Sequence, residues 1–188
     1  MKKRDAYLNQ LIVLKDKSPI KVITGVRRCG KSSLLDLYEE YLLSEGVAPT
    51  AIVRMNFESL EFDEIRDYRQ LNDYVTQRIA GEPKTYVLLD EVQMVDEWER
   101  AVNSLRLGQR LDIYITGSNG HLLASELSSL LSGRYFELHM LPLSFKEFLA
   151  ITVISRCREI QPDAFAAAGC ICMAGCSFKA LWRSPARL

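Results

Sequence analysis

Short hydrophobic runs alternate along the first 150 residues with longer segments in which hydrophobic residues recur every three or four positions. The runs are predicted as strands over residues 20–24, 51–55, 85–89, 112–116 and 135–140. The periodic segments are predicted as helices over residues 31–44, 71–79, 97–107 and 122–131, after a first helix whose apolar face contains Tyr7, Leu8, Leu11 and Ile12. Strands that alternate with helices of this length favour an α/β fold of three layers, with a parallel sheet covered on both faces.

Composition is that of an ordinary globular protein, with 48% hydrophobic and 26% charged residues among 188. The 24 basic and 24 acidic residues give a formal net charge of zero, so charge gives no indication of nucleic-acid binding. The sequence has neither a signal-peptide pattern nor a run of 18 uncharged apolar residues, and we therefore expect a cytoplasmic protein that does not enter a membrane.

The segment after the first predicted strand matches the pattern G-x-x-x-x-G-K-S/T. The predicted nucleotide-binding residues are this segment and the residue after it: Gly25, Val26, Arg27, Arg28, Cys29, Gly30, Lys31, Ser32 and Ser33. Two glycines let backbone N–H groups turn inward around a β-phosphate, a lysine reaches the β and γ oxygens, and a serine hydroxyl can bind Mg²⁺. A helix that starts at Lys31 adds the positive end of its dipole. The pattern predicts a site for a nucleoside triphosphate.

Two acidic residues, Asp90 and Glu91, follow the apolar strand predicted at 85–89. In phosphoryl-transfer sites an aspartate at such a strand end holds Mg²⁺, and a neighbouring glutamate can polarise the attacking water. We therefore predict Ser32 and Asp90 as metal-binding residues, and Lys31 and Glu91 as catalytic residues. The sequence contains no Asn-Lys-x-Asp segment that would recognise guanine, which makes adenine the expected base.

Several blocks of the chain resemble the AAA-like ATPases of bacteria and archaea known as the "ATP-binding protein" group. The resemblance extends from about Tyr7 to Ala150 and rests on five blocks: Ile23-Thr24-Gly25-Val26-Arg27-Arg28, Leu89-Asp90-Glu91-Val92-Gln93, Ile115-Thr116-Gly117-Ser118-Asn119, Leu131-Ser132-Gly133-Arg134 and Leu141-Pro142-Leu143-Ser144-Phe145. It implies a P-loop sheet with strand order 5-1-4-3-2, ATP hydrolysis with Mg²⁺, and a C-terminal nuclease-like domain after the ATPase domain.

The resemblance also implies roles for three further catalytic candidates. Asn56 fits the polar residue that can hold the catalytic glutamate in or out of play, although an asparagine at a strand end equally often forms a turn. Asn119 fits the polar sensor of the γ-phosphate, with Thr116 and Ser118 as alternatives. Arg134 could stabilise transition-state charge in its own subunit or a neighbouring one, or it could be a surface residue that forms salt bridges.

Residues 151–188 differ from the rest of the chain and from the family. They contain four of the five cysteines and an Ala/Gly-rich stretch without a clear helix or strand period. Codons for Cys172 to Cys176, read two bases further on, permit Tyr-Gly-Gly-Met, which resembles a block that follows the ATPase domain in the family. We therefore interpret residues 1–150 as one ATPase domain and residues 151–188 as a tail that is not a domain and that could be a frameshift product.

Three functions remain open at this point. The first is an ATPase that drives or switches a longer protein, and the second is a nucleotide-binding module that does not hydrolyse ATP. The third is a P-loop kinase that phosphorylates a small molecule. A protein partner or self-association is possible in each case, and the sequence leaves the oligomeric state open.

Overall fold

The computed structural model describes residues 4–17, 20–79, 84–107, 110–118, 133–144 and 147. Its helices are α1 (Asp5–Leu14), α2 (Lys31–Ser44), α3 (Tyr68–Ile79) and α4 (Trp98–Leu107). Its strands are β1 (Ile20–Thr24), β2 (Ile52–Asn56), β3 (Thr85–Asp90), β4 (Leu111–Gly117) and β5 (Phe136–His139). None of the helices in these ranges is long and apolar enough to cross a membrane.

The five strands form one parallel sheet in the order β2-β3-β4-β1-β5. Read from the other edge, this is 5-1-4-3-2, so the predicted α/β fold and strand order are confirmed. The register pairs Asn56 with Asp90, and Thr24 with both Gly117 and His139. The carboxyl ends of all five strands therefore meet at one edge of the sheet.

Each face of the sheet carries its own hydrophobic cluster. On one face, strand residues such as Val87 and Ile113 pack with Leu71 of α3 and Trp98 of α4. The residues on the other face are the alternate ones along the strands, and they pack with Leu11 of α1 and with four side chains of α2: Leu34, Leu35, Tyr38 and Leu42. The two clusters explain why β1, β3 and β4 are buried along their whole length and consist mostly of apolar residues.

Most predicted element boundaries agree with the structure to within one or two residues. The start of α3 differs, because the helix begins at Tyr68 rather than at residue 71. The side chain of Asp67 accepts hydrogen bonds from the backbone N–H groups of Arg69 (2.8 Å) and Gln70 (2.9 Å), which caps the helix one turn earlier. The helix predicted over 122–131 and the tail over 151–188 lie outside the described residues.

A buried ion pair lies between the two central strands. Lys21 of β1 donates to Asp112 of β4, and both residues are at most 1% exposed. Asp112 also accepts from the Tyr114 hydroxyl (3.0 Å) and from the backbone N–H of Asp16 (3.0 Å). Burial lowers the pKa of the Lys21 ammonium, and the hydrogen bond and charge of Asp112 oppose that shift. The pair therefore ties the α1–β1 connection to the middle of the sheet.

We expect Lys21→Met to lower the free energy of unfolding by about 3–5 kcal/mol, since it leaves Asp112 buried without its cation. Chemical denaturation followed by circular dichroism measures this. Lys84→Met is the control: Lys84 pairs with Asp16 at the surface (2.5 Å), and its removal should cost at most about 1 kcal/mol. Equal losses in both variants would contradict the structural importance of the buried pair.

Candidate nucleotide-binding site

The connection between β1 and α2 is a tight loop with two glycines in conformations that favour glycine. Gly25 has φ of +153° and Gly30 has φ of +98°, while Arg28 within the loop has φ of +65°. Gly30 directly precedes α2, so the free N–H groups of the first helical turn face the loop. This is the local structure that the G-x-x-x-x-G-K-S pattern predicts.

A contact that the loop pattern does not predict also requires glycine at position 25. A Cβ atom at this position would lie 2.4 Å from the carbonyl oxygen of Met140 and 2.9 Å from Sγ of Cys29. The backbone N–H of Met140 donates to the carbonyl of Thr24 at 2.7 Å, which holds the chain after β5 against the loop. The chain after β5 therefore leaves no room for a side chain at position 25, and the loop conformation favours glycine there as well.

Lys31 is buried, and its ammonium group points into the loop. It donates to the carbonyl oxygens of Gly25 (3.3 Å) and Val26 (3.4 Å) and to the hydroxyl of Ser118 (3.3 Å). It also forms an ion pair with the carboxylate of Glu91 at 3.4 Å. The contacts are long for hydrogen bonds of a charged donor. None of its contacts is short, so the ammonium could form a closer one with a second anionic group in the loop.

Glu91 has the left-handed backbone conformation, with φ of +53°, immediately after β3. Its carboxylate accepts from the Ser118 hydroxyl (2.5 Å), the Ser118 backbone N–H (3.1 Å) and the Gln93 amide (2.6 Å). Burial by itself would raise the pKa of Glu91, but these hydrogen bonds and the Lys31 charge outweigh it and hold the pKa below its ordinary value. Glu91 is therefore ionised at neutral pH.

Asp90 is fully buried, and its two carboxylate oxygens have different partners. One accepts a hydrogen bond from the hydroxyl of Thr116, which in turn accepts from the backbone N–H of Glu91 at 3.0 Å. The other lies 3.4 Å from the guanidinium of Arg54 on β2. Thr116 thus orients both acidic residues at the end of β3.

A cleft of about 350 Å³ opens between the loop and the end of β3. It is lined by Arg27, Arg28, Gly30, Lys31, Ser32, Ser33, Glu58 and Glu91. Six of the nine predicted nucleotide-binding residues are in this lining, whereas the side chain of Cys29 is buried in the core on the α2 side of the sheet. The lining is cationic on the loop side, and Arg27 pairs across the cleft with Glu58 at 3.4 Å.

The residues fit a nucleotide with its metal ion. A cationic loop with free N–H groups at a helix start suits phosphate oxygens, and the hydroxyl of Ser32 with the carboxylate of Asp90 is the oxygen donor set that Mg²⁺ prefers. Asp90 is not in the lining of the cleft, and its carboxylate is engaged by Thr116 and Arg54.

The other predicted residues have separate positions. The side-chain oxygen of Asn56 accepts from the Glu58 backbone N–H at 3.0 Å. Asn56 therefore forms a turn at the strand end, which is the second of the two roles considered for it. Arg134 lies exposed before β5, about five residues or roughly 16 Å of extended chain from the edge where His139 pairs with Thr24. This position separates Arg134 from the loop of its own subunit. Asn119 is outside the described residues.

Two contacts of the site could not be expected from sequence motifs. Arg54 lies within the second strand, where an alternating burial pattern indicates only an edge strand. Gln93 lies within one of the blocks of the family resemblance, but nothing marked it as a partner of Glu91. Ser118, an alternative to Asn119, is the residue that contacts both Lys31 and Glu91.

Comparison with known proteins identifies relatives of this chain. Residues 17–149 match the model of a family described as AAA domain. The chain is 48% identical over 147 residues to an uncharacterized protein of Haemophilus influenzae and 34% identical over 131 residues to one of Methanocaldococcus jannaschii. These alignments cover 78% and 69% of this chain, but 37% and 28% of the two relatives. The chain thus spans well under half of their length.

Solved structures with a similar fold include a Walker-type ATPase of Pyrococcus abyssi and PCH-2 of C. elegans. The first has a TM-score of 0.58 at 16% identity, over 87% of this chain and 61% of the other. The second has a TM-score of 0.52 at 18% identity, over 84% of this chain and 48% of the other. At these identities the likeness concerns the fold.

We expect Gly25→Ala to destabilise the protein by about 2–4 kcal/mol, since the new Cβ would overlap the Met140 carbonyl oxygen in addition to straining the backbone. Chemical denaturation measures the change. Gly46→Ala is the matched control, because Gly46 also has a positive φ (+85°) but a Cβ there has no heavy atom within 4 Å. A loss of only about 1 kcal/mol in both variants would show that the contact with Met140 adds nothing.

Proposed function

The chain belongs to the AAA domain family, and we propose that it binds ATP with Mg²⁺ and hydrolyses the bound ATP to ADP and phosphate. The observation that carries this proposal is the convergence of Lys31, Ser118 and Glu91 beside the glycine loop. A buried ammonium, a hydroxyl and an ionised carboxylate meet at the edge of the cleft that the loop and the start of α2 line. A cation for phosphate and a base for water are thus adjacent.

Each residue of the loop has a proposed task. Backbone N–H groups of residues 25–33 and the first turn of α2 bind the phosphates, and Lys31 donates to the β and γ oxygens. Ser32 and Asp90 would hold Mg²⁺, which when bound neutralises the negative charge of the phosphates. Arg27 and Arg28 add positive charge beside the phosphates or contact a partner.

Glu91 is proposed as the base that takes a proton from the attacking water. In the structure its carboxylate is held by Lys31, Ser118 and Gln93, so it is ionised and fixed in position. When the γ-phosphate attracts Lys31, Glu91 loses one cationic partner and becomes a stronger base. Exchange of partners by Lys31 would therefore link phosphate binding to activation of water.

The remaining predicted residues are assigned roles from their positions. Ser118 is favoured as the polar residue between the carboxylate and the γ-phosphate because of its contacts, while Asn119 remains a prediction. Asn56 could regulate Glu91 only if it leaves the turn with Glu58. The position of Arg134 before β5 supports action on the site of a neighbouring copy of the chain, which would require self-association.

The chain aligns with 37% and 28% of the length of its two relatives, which supports a role as one part of a longer protein. We propose that the domain is the motor or switch of a longer protein, whose other parts supply the partner. The same fact supports the second candidate, a module that binds ATP without hydrolysis because the site needs another part of the protein. Release of phosphate from ATP without an added acceptor distinguishes hydrolysis from both this module and a small-molecule kinase.

We expect Lys31→Ala to weaken binding of ATP with Mg²⁺ by about two orders of magnitude or more, because it removes charge-assisted hydrogen bonds to the phosphates. Isothermal titration calorimetry measures the affinity, and Lys17→Ala, at an exposed position, is the control. Equal affinities of wild type and Lys31→Ala would mean that the glycine loop is not the phosphate site.

We expect Glu91→Gln to reduce ATP turnover by roughly 10²-fold or more while ATP affinity stays the same or increases slightly. Glutamine can still accept hydrogen bonds from Ser118, so the cleft should keep its shape, but the amide cannot take a proton from water. Steady-state phosphate release and calorimetry separate the two effects. Unchanged turnover would rule out Glu91 as the base, and a wild type that binds ATP without turnover would favour the non-hydrolysing module.

A further inference from the structure

Arg54 lies beside the candidate site but belongs to neither the glycine loop nor the acidic pair, and no role has been given to it. It lies on β2, and its side chain is 20% exposed. The guanidinium is 3.4 Å from Asp90, 3.0 Å from Asp36 and 3.9 Å from Glu39. One arginine thus joins the end of β3 to the face of α2.

The three carboxylates differ in how much they need this cation. Asp90 has no exposed surface, whereas the side chains of Asp36 and Glu39 are 57% and 34% exposed and can be neutralised by water and salt. A buried carboxylate that loses its counter-ion has a large desolvation cost. Among the described residues, Arg54 is the only cation for which an ion pair with Asp90 is observed, so its electrostatic effect is greatest there.

The guanidinium also lies close to the proposed metal site. Asp36 is four residues after Ser32 on α2, which places the two on the same face of the helix, one turn apart. Arg54 bridges this face and Asp90. A divalent cation held by Ser32 and Asp90 would therefore be near the guanidinium and be repelled by it.

Arg54 is held less tightly by Asp90 than by Asp36. The distance to Asp90 is longer than that to Asp36, and one guanidinium nitrogen of Arg54, Nη1, is buried without a hydrogen-bond partner within the described part of the chain. Buried donors in native structures are usually hydrogen-bonded, so the guanidinium of Arg54 is incompletely satisfied where it lies. Asp36 contacts the same guanidinium nitrogen as Asp90 does, and with Glu39 it would keep the guanidinium paired if the contact with Asp90 were lost.

We propose that Arg54 is the resident counter-ion of Asp90 in the metal-free protein, and that it withdraws from Asp90 and stays with Asp36 and Glu39 when Mg²⁺ binds with the nucleotide. Arg54 then sets the Mg²⁺ concentration that nucleotide binding requires, since the metal must displace it from Asp90. This inference rests on the proposed function, because it assumes that Asp90 takes part in binding Mg²⁺. Arg54 is a positioning residue that acts through Asp90 and not on ATP.

The first experiment measures how the binding of a fluorescent ADP analogue depends on Mg²⁺ concentration. Arg54→Gln should lower the Mg²⁺ concentration at half-saturation about three- to tenfold, because it removes a positive charge beside the metal. The control Arg66→Gln removes an exposed arginine paired with Asp63 (2.8 Å) and should change the value less than about twofold. An unchanged or increased half-saturation in Arg54→Gln would overturn the proposal.

A second variant gives a change of opposite sign. Asp36→Asn removes the alternative partner of Arg54, which should strengthen its contact with Asp90 and raise the half-saturation concentration of Mg²⁺ about two- to fivefold. Glu40→Gln removes an exposed negative charge from the same helix and controls for the general effect of charge. If Asp36→Asn shifts the value no more than Glu40→Gln does, Asp36 does not hold the guanidinium that withdraws from Asp90.

A third measurement tests the ion pair without nucleotide or metal. In EDTA, Arg54→Gln should lower the melting temperature by about 4 °C or more, and most of this loss should vanish in the Asp90→Asn background. Additive losses would contradict the pairing. If wild type shows no Mg²⁺-dependent binding, the proposed function fails, but this cycle still decides whether Arg54 is the counter-ion of Asp90.

Discussion

The parallel pairing of β1, β4 and β3 is the constraint on which the candidate site depends. Because all three strands run in the same direction, the loop after β1, the acidic pair after β3 and Ser118 after β4 emerge at the same edge. Lys31 therefore meets Glu91 at 3.4 Å across a separation of 60 residues in the chain. The buried pair of Lys21 and Asp112 holds β1 beside β4 within the sheet.

At this edge of the sheet, buried acidic side chains are balanced by basic ones. Two carboxylates are buried side by side, and each has a cation of its own: Lys31 for Glu91 and Arg54 for Asp90. Both cations lie where a nucleotide with its metal ion would bring new charges. Under the proposed function, phosphate would compete for Lys31 and a divalent cation would compete with Arg54, so binding of the two together would leave neither buried carboxylate without a cation.

The side of the loop that faces away from the cleft is bonded to the chain before α1 and to the chain after β5. Arg4 donates to the carbonyl of Cys29 at 2.9 Å and to the carbonyl of Leu141 at 2.8 Å, and it forms an ion pair with Glu147 at 3.2 Å. Together with the contact between Gly25 and Met140, these bonds connect the loop to α1 and to the chain after β5. The loop is thus held from behind, which fixes its shape before any ligand binds.

The sequence by itself determined the elements and the chemistry of the loop, because these depend on neighbours along the chain. Apolar periodicity located β1 and α2, and the glycines with Lys31 and Ser32 defined a phosphate-binding loop within one segment. Tertiary structure decided the partners. Strand pairing joined Arg54 to Asp90 and Ser118 to Glu91, and it placed Arg134 at the opposite edge from the loop. Such contacts depend on which strands lie side by side, and the pattern of a single segment carries no information on that.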